Sequence, residues 1–404
     1  MDLRDRLARV AAAKAVLRDV EERTLRTPVV PCQVGTEPCR SDTDPPVTPR
    51  EYRWWAPGSR VERDSHVGPY PTSKASHITS EARHDLRGLG LEIVGLSEPD
   101  PLTLAHLGLR GEPPKRWEDV VFLDTETTGL SGGTGTYVFL LGTAWIEGGE
   151  LVLRQHLLHD LGGEAEFVRA IHRELDAFRA CASYNGKTFD LPILRTRVVM
   201  AMRGELSVDE THLDLLHAAR RLWKDRLGST TLRQLEASVL DEPRGNDDVA
   251  GALIPDRYFH WLRSRDHWII EPVLRHNARD VVSLVRIADR VARAVIDARR
   301  GRAPDHALAA LALARIFDRH GESEAAFWCY ESAYVEGDGT TRVRASLPFA
   351  RALERRGEID RAITMLETLL ALQGGPQTWR EQAEARLRRL LKVRWRRREL
   401  ATAS

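Results

Sequence analysis

The segment that most narrows the choice of fold is Asp119-Val120-Val121-Phe122-Leu123-Asp124-Thr125-Glu126. A short apolar run reads as a β-strand and passes directly into acidic residues. Side chains two apart on a strand point to one face. Asp124 and Glu126 therefore project together where the strand is expected to leave the sheet. Carboxylates placed side by side repel unless a cation lies between them. Oxygen donors select hard ions such as Mg²⁺ or Mn²⁺.

A second acidic group lies in Ser183-Tyr184-Asn185-Gly186-Lys187-Thr188-Phe189-Asp190-Leu191-Pro192. Gly186 permits a sharp turn, and Pro192 fits the first turn of a helix. Asp190 then stands near that helix's N-terminus, where it can equally serve as a cap. A third group lies in Leu274-Arg275-His276-Asn277-Ala278-Arg279-Asp280. His276 and Asp280 are four apart and share a helix face. They flank the edge of an apolar stripe made by Val281, Leu284, Ala288, Val291 and Val295. A plain surface His–Asp pair is the competing reading.

The surrounding pattern predicts strands over Tyr137–Ile146 and Leu151–Leu158, joined by the turn Glu147-Gly148-Gly149-Glu150. A helix over Glu164–Phe178 and a strand over Cys181–Tyr184 follow. Two or three helices are expected from about 214 to 265, and a long one from about 270 to 297. Strands first and helices later indicate an α/β layer with a mixed sheet. Upstream, 1–25 reads as a helix and 27–49 as a Pro-rich arm, while 50–110 favours no element. Beyond residue 303 the pattern is helical and repeats. Ala314 to Glu322 aligns with Ala350 to Glu358 at an offset of 36, each copy reading helix, Gly turn, helix. This resembles a tetratricopeptide repeat. Stacked helix pairs bury a core only with neighbours, so this array is expected to dock on the preceding domain, with a last helix over Trp379–Leu391. The expected organisation is 1–50 for the N-terminal helix and arm, 51–117 of undefined fold, 118–298 for the α/β domain, and 303–400 for an all-α repeat module with a basic tail.

A length of 404 residues suits two or three folded units. Sixty basic against 59 acidic residues leave +1, so no global basic field grips nucleic acid. The longest apolar run, Tyr137–Ile146, is far short of a membrane span. Met1-Asp2-Leu3-Arg4-Asp5-Arg6 lacks the apolar core of a signal peptide, and four cysteines do not make a disulfide scaffold. A soluble cytoplasmic protein without a membrane partner is expected.

The joint order of the three acidic groups resembles the DEDD (DnaQ-like) 3′–5′ exonuclease superfamily. Asp124-Thr125-Glu126-Thr127-Thr128-Gly129-Leu130 is similar to its first motif. Ser183 to Leu194 resembles the second motif of a narrower group, the YprB-type ribonuclease-H-like domain. His212-Leu213-Asp214-Leu215-Leu216, Arg220 to Lys224, Ile254-Pro255 with Tyr258, and His276-Asn277 with Asp280 resemble that group too. The resemblance spans about 119–296. It implies a ribonuclease-H-like mixed sheet flanked by helices and a metal-dependent 3′–5′ exonuclease of single-stranded RNA or DNA ends. It implies two Mg²⁺ or Mn²⁺ ions, with Asp124 bridging both, Glu126 and Asp280 completing the shells, and Asp190 holding one through water. It also implies that Thr127, Thr128, Gly129 and Leu130 position the terminal nucleotide, with Asn185 and Lys187 in the substrate-binding set. Lys187 is one of only six lysines among the 60 basic residues, and an exposed loop lysine is its plain reading. Imidazole titrates near neutral pH, so His276 suits a catalytic base. Its spacing departs from the pattern: four residues before Asp280 is the position of the tyrosine-type enzymes, whereas the histidine type uses five. Two other readings share these residues. One is a binding scaffold for nucleic acid or protein on the same fold, and the other an endonuclease or RNA-processing nuclease.

Other residues carry weaker signals. His212, Asp214 and His217 have loose metal-ligand spacing, though a capping Asp214 and packed or solvated histidines fit better. Cys32 and Cys39 read as free thiols, and Trp54 and Trp55 as anchors of the arm. The repeats suggest a protein partner. The tail sets eight basic residues, Arg386 to Arg398, within thirteen positions around Trp395. Such a helix binds phosphates or forms a solvated face.

Overall fold

Val120 and Phe122 pack into one apolar layer, and Val121 and Leu123 into another. The strand that bears the first acidic pair is thus covered on both faces by alternation. The computed structural model describes residues 77–91, 101–129, 134–206, 208, 210–245, 248–302, 304, 306–371 and 376–402. The expected helix over 1–25, the arm, Cys32, Cys39, Trp54, Trp55 and Leu130 lie outside them.

The chain forms β1 (His77–Asp85), α1 (Pro101–Leu107), β2 (Leu109–Arg110), β3 (Val120–Thr127), β4 (Val138–Glu147) and β5 (Glu150–Leu158). It continues with α2 (Glu164–Leu175), β6 (Ala180–Ser183), α3 (Asp190–Met202), β7 (His212–Asp214), α4 (Leu215–Leu227) and α5 (Leu232–Ser238). Two helices complete this part, α6 (Ile254–Ser264) and α7 (His267–Arg299). The strands order as β1-β5-β4-β3-β6-β7-β2 in a seven-stranded sheet. The β1, β5, β4 and β3 neighbours are antiparallel, whereas β3–β6 and β6–β7 are parallel. Gly148 and Gly149 turn the β4–β5 hairpin with φ of 60° and 83°, values suited to a two-residue loop. The parallel strands need crossovers, and α2 and α3 supply them.

Several features of this part differ from the sequence expectations. β3 does not end at Asp124. Its ladder with β4 continues as Asp124↔Gly142, Glu126↔Leu140 and Thr127↔Val138, with a bulge after Glu126. Pairing with β6 does stop at Phe122, so the acidic residues lie beside a neighbour that has already ended. Both edge strands come from before residue 118: β1 pairs with β5 and β2 with β7. β1 reads His-Ile-Thr-Ser-Glu-Ala-Arg-His-Asp, a polar sequence that only a waiting sheet edge makes a strand. α2 stops at Leu175 rather than Phe178.

The C-terminal region is helical: α8 (Ala307–Arg319), α9 (Ser323–Val335), α10 (Gly339–Arg355), α11 (Ile359–Ala371) and α12 (Gln377–Thr402). Gly321 and Gly357, 36 residues apart, hold φ of 78° and 82° at equivalent turns. One apolar cluster runs from Phe122 on the sheet through Val285 and Val291 of α7 to Phe317, Phe349 and Leu366. The helices therefore pack on the α/β layer, aided by an Arg344–Asp225 ion pair. α12 outlasts its expected end at Leu391. Arg and Lys favour helix, and Arg394 and Arg397 reach Asp360 and the Gly357 carbonyl of the preceding turn. Among the described residues no helix is long and apolar enough to cross a membrane.

Candidate active site

One row of the sheet builds the first part of the site. Asp124, Gly142 and Gln155 pair side by side on β3, β4 and β5. A Cβ on Gly142 would stand 2.2 Å from Asn277 Oδ1 and 2.8 Å from Val281 Cγ2. The glycine thus lets α7 come down onto the sheet. Asn277 fills the gap. Its Nδ2 donates to Asp124 Oδ2 at 2.9 Å and to the Asp124 carbonyl at 3.2 Å. Gln155 Nε2 donates to Asn277 Oδ1 at 2.9 Å and to the Leu274 carbonyl at 2.8 Å. The bond to Oδ1 orients the Asn277 amide so that its NH₂ faces the carboxylate.

Asp190 arrives from the other side. Beyond Phe122 the β6 edge is absent, and Asp190 Oδ1 accepts from Thr125 N at 3.1 Å and Thr125 Oγ1 at 2.6 Å. Gly186 makes the approach possible, since a Cβ there would lie 2.1 Å from Ser183 Oγ and 3.0 Å from Asp190 Oδ2. Asn185 takes φ of 64° and its N–H donates to Asp214 Oδ1 at 2.9 Å.

α7 delivers the rest. His276 Nε2 lies 3.6 Å from Asp280 Oδ2 and 4.0 Å from Glu126 Oε1. His276 Nδ1 bonds Asp248 Oδ1 at 2.8 Å, while Arg244 Nη1 stands 3.3 Å from the same nitrogen. Asp248 is the nearer partner of Nδ1, and Nε2 faces Glu126 and Asp280. Arg244 is buried and bonds Glu236 and Asp280, with Asp248 at 3.2 Å.

Residues 121–292 match the RNase H superfamily family model. Over this stretch the mixed sheet flanked by helices fits the ribonuclease-H-like fold. The uncharacterized protein YprB of Bacillus subtilis (strain 168) is 32% identical over 252 residues, which is 62% of this chain and 60% of that protein. The aligned stretch thus spans under two thirds of that relative. Ribonuclease-H-like proteins are typically hydrolytic nucleases that use divalent metal ions, so the electrostatics of this cleft bear directly on chemistry.

All four carboxyls of the cleft are pushed upward, first by burial. Asp124 and Glu126 rise well above the usual range because Asp280 and Asp190 add like charge to that desolvation. Burial also raises Asp190, against the bonds from Thr125, and Asp280, against the pull of His276 and Arg244. Asp248 goes the other way. The His276 hydrogen bond and nearby Arg244 overcome burial and hold it low. The donor set is all oxygen and short of positive charge, which suits a hard divalent cation. Among the described residues no three His, Cys, Asp or Glu side chains form a ready-made ligand group. Asn277, Thr125 and Arg244 already bind oxygens of Asp124, Asp190 and Asp280.

The remaining expected residues fall into place individually. Thr127 Oγ1 donates to the Gly129 carbonyl at 2.9 Å, and Tyr137 N donates to Thr128 Oγ1 at 2.9 Å. Both hydroxyls are therefore engaged in shaping the end of β3. Lys187 is exposed near Asp190. Asp214 caps α4 by accepting from Leu216 N at 3.1 Å, His212 Nε2 bonds Ser183 Oγ at 2.8 Å, and His217 is exposed. Sequence reasoning assigned no role to Asn277, Gly142, Gln155, Glu236, Arg244 and Asp248. A lone arginine inside the acidic stretch Asp241 to Asp248 was the available signal for the Arg244 cluster.

Proposed function

We propose that this chain is a metal-dependent 3′–5′ exonuclease that hydrolyses phosphodiester bonds at single-stranded ends of RNA or DNA. One observation carries the reading: the carboxyls of Asp124 and Glu126 on β3, Asp190 on α3 and Asp280 on α7 meet beside the imidazole of His276, whose Nε2 faces Glu126 and Asp280. Asp124, Glu126, Asp280 and Asp190 would hold the cations, two per site. Mg²⁺ or Mn²⁺, when bound, supplies Lewis acidity and neutralises charge at the scissile phosphate. His276 Nε2 accepts the proton of the attacking water. Asp248 holds the ring by Nδ1, and Arg244 ties Asp248 to Asp280 through one guanidinium. The Thr127-Thr128-Gly129 backbone, Leu130, Asn185 and Lys187 form the surface for the terminal nucleotide. Polarity and end preference rest on the DEDD resemblance. Residues 118–298 act as the nuclease domain, while 303–400 form a tetratricopeptide-like module that receives a protein partner.

A second reading has its own support. Arg244 already neutralises Asp280, which suits a nucleic-acid or protein scaffold without catalysis. A 5′-labelled single strand incubated with Mn²⁺ or Mg²⁺ separates these readings. A ladder shortening from the 3′ end is expected. A few internal cuts would instead mean an endonuclease, and the absence of any metal-dependent product would leave the scaffold.

A further inference from the structure

The last helix carries charge that the candidate active site does not use. Residues 377–402 hold nine basic and three acidic side chains, in a chain whose net charge is +1. Trp379, Ala383 and Leu390 bury one face of α12. Arg386 and Arg389 on its flanks both pair with Glu354, the latter at 3.0 Å.

At about 100° per residue, Arg388, Lys392 and Arg396 fall on the side opposite that buried face. All three are exposed. Arg388 has one loose ion contact, Glu384 at 3.7 Å. Lys392 and Arg396 have no ion pair or hydrogen bond with any described residue. Together with Arg389 they line a concavity of about 570 Å³. Arg389 also borders a neighbouring one of about 400 Å³ that adds Arg351 and Arg355.

The spacing says what kind of anion fits. Positions i, i+4 and i+8 put successive charged groups roughly 6 Å apart along the axis. A row suits a polymer with a charge at every step, whereas an isolated phosphate needs a convergent pocket. Trp395 lies beside the row and is 60% exposed. An exposed indole next to cations offers a stacking face for an unpaired base. We infer that this face of α12 is a second binding surface for the phosphate backbone of single-stranded nucleic acid, separate from the carboxylate cleft. The surface needs no divalent ion and does not rest on the nuclease reading.

The test uses the full chain in EDTA, with a fluorescent single-stranded 20-mer followed by anisotropy across a salt series. Replacing Arg388, Lys392 and Arg396 together by alanine should weaken binding at least tenfold at low salt. The slope of log affinity against log salt should flatten by about 2, at roughly 0.7 for each phosphate no longer neutralised. Trp395→Ala should weaken binding less and leave the slope unchanged. The absence of divalent ions keeps this result apart from any failure of the nuclease. Unchanged affinity and slope in the triple variant would overturn the inference. So would a variant that keeps its oligonucleotide binding but loses binding to vesicles of phosphatidylserine. If the triple variant loses its cooperative thermal transition, Lys392→Glu carries the same test at an exposed position, with a slope change near 0.7 expected.

Discussion

Two acidic groups lie beside one sheet, and their charges are balanced in opposite ways. In one, Glu174 of α2 accepts from Thr143 Oγ1 at 2.6 Å and Arg154 Nη1 at 2.7 Å, and meets His156 Nε2 at 2.8 Å. Burial alone would raise its carboxyl, but the bonds from His156, Thr143 and Arg154 hold it at about 2. In the other, Asp124, Glu126, Asp190 and Asp280 are all pushed up, and of these four Asp280 alone forms an ion pair with Arg244. Both clusters are desolvated, so depth in the fold does not separate them. Partners do. A carboxylate given its full set of donors strengthens the fold, whereas a group of carboxylates left short of positive charge weakens it.

The sharpest way to break this contrast is to neutralise one member of each cluster. Asp124→Asn should reduce phosphodiester hydrolysis by several orders of magnitude while leaving the fold intact. Its thermal midpoint should not rise on adding Mn²⁺, whereas the parent's should. Glu174→Gln should do the reverse: normal turnover per folded molecule and a lower midpoint. Equal turnover in Asp124→Asn and the parent would remove Asp124 from the site.

A smaller effect should appear in acid. The folded Glu174 value of about 2 lies below its ordinary 4.5. A depressed carboxyl contributes fully above the unfolded value and loses that contribution as pH falls toward the folded one. The loss is on the order of 3 kcal/mol and should fall between about pH 4.5 and 2. Denaturant unfolding at stepped pH should show it in the parent and not in Glu174→Gln. The raised carboxyls of the cleft have the opposite sign. Without divalent ions they destabilise the fold as pH rises from their ordinary range toward their raised folded values.

The smallest expected effect concerns His276. Asp248→Asn leaves every proposed ligand in place but weakens the grip on Nδ1. A loss of roughly 10–100-fold in kcat is expected, as for other orienting partners of site residues, with KM for a short oligonucleotide little changed. A KM effect without a kcat effect would make Asp248 part of the substrate surface instead.

The acidic residues themselves were legible because each sits on a local pattern. Asp124 and Glu126 follow an apolar run, Asp190 precedes a Pro-led helix start, and His276 and Asp280 are one turn apart. Arg244 and Asp248 belong to a loop with no period, where the one local mark is a lone arginine among acidic residues. Gly142 lies inside an apolar strand and reads as an ordinary residue until α7 is seen to press on it. The edge strand β1 was illegible for a related reason, because its partner β5 lies some seventy residues away.

Local chemistry alone determined the α/β class, the hairpin at Gly148-Gly149, the long helix α7, and which side chains can hold a cation. Periodicity and turn preference act over a few residues and leave a trace in order and spacing. Tertiary structure alone decided that Asn277 bridges Asp124 and Gln155 over a glycine, that Asp248 turns the imidazole, and that one arginine serves three carboxylates. Those contacts join residues far apart in the chain. Their energy depends on how close two elements pack and on what burial leaves unpaired, and neither quantity is written in any one segment.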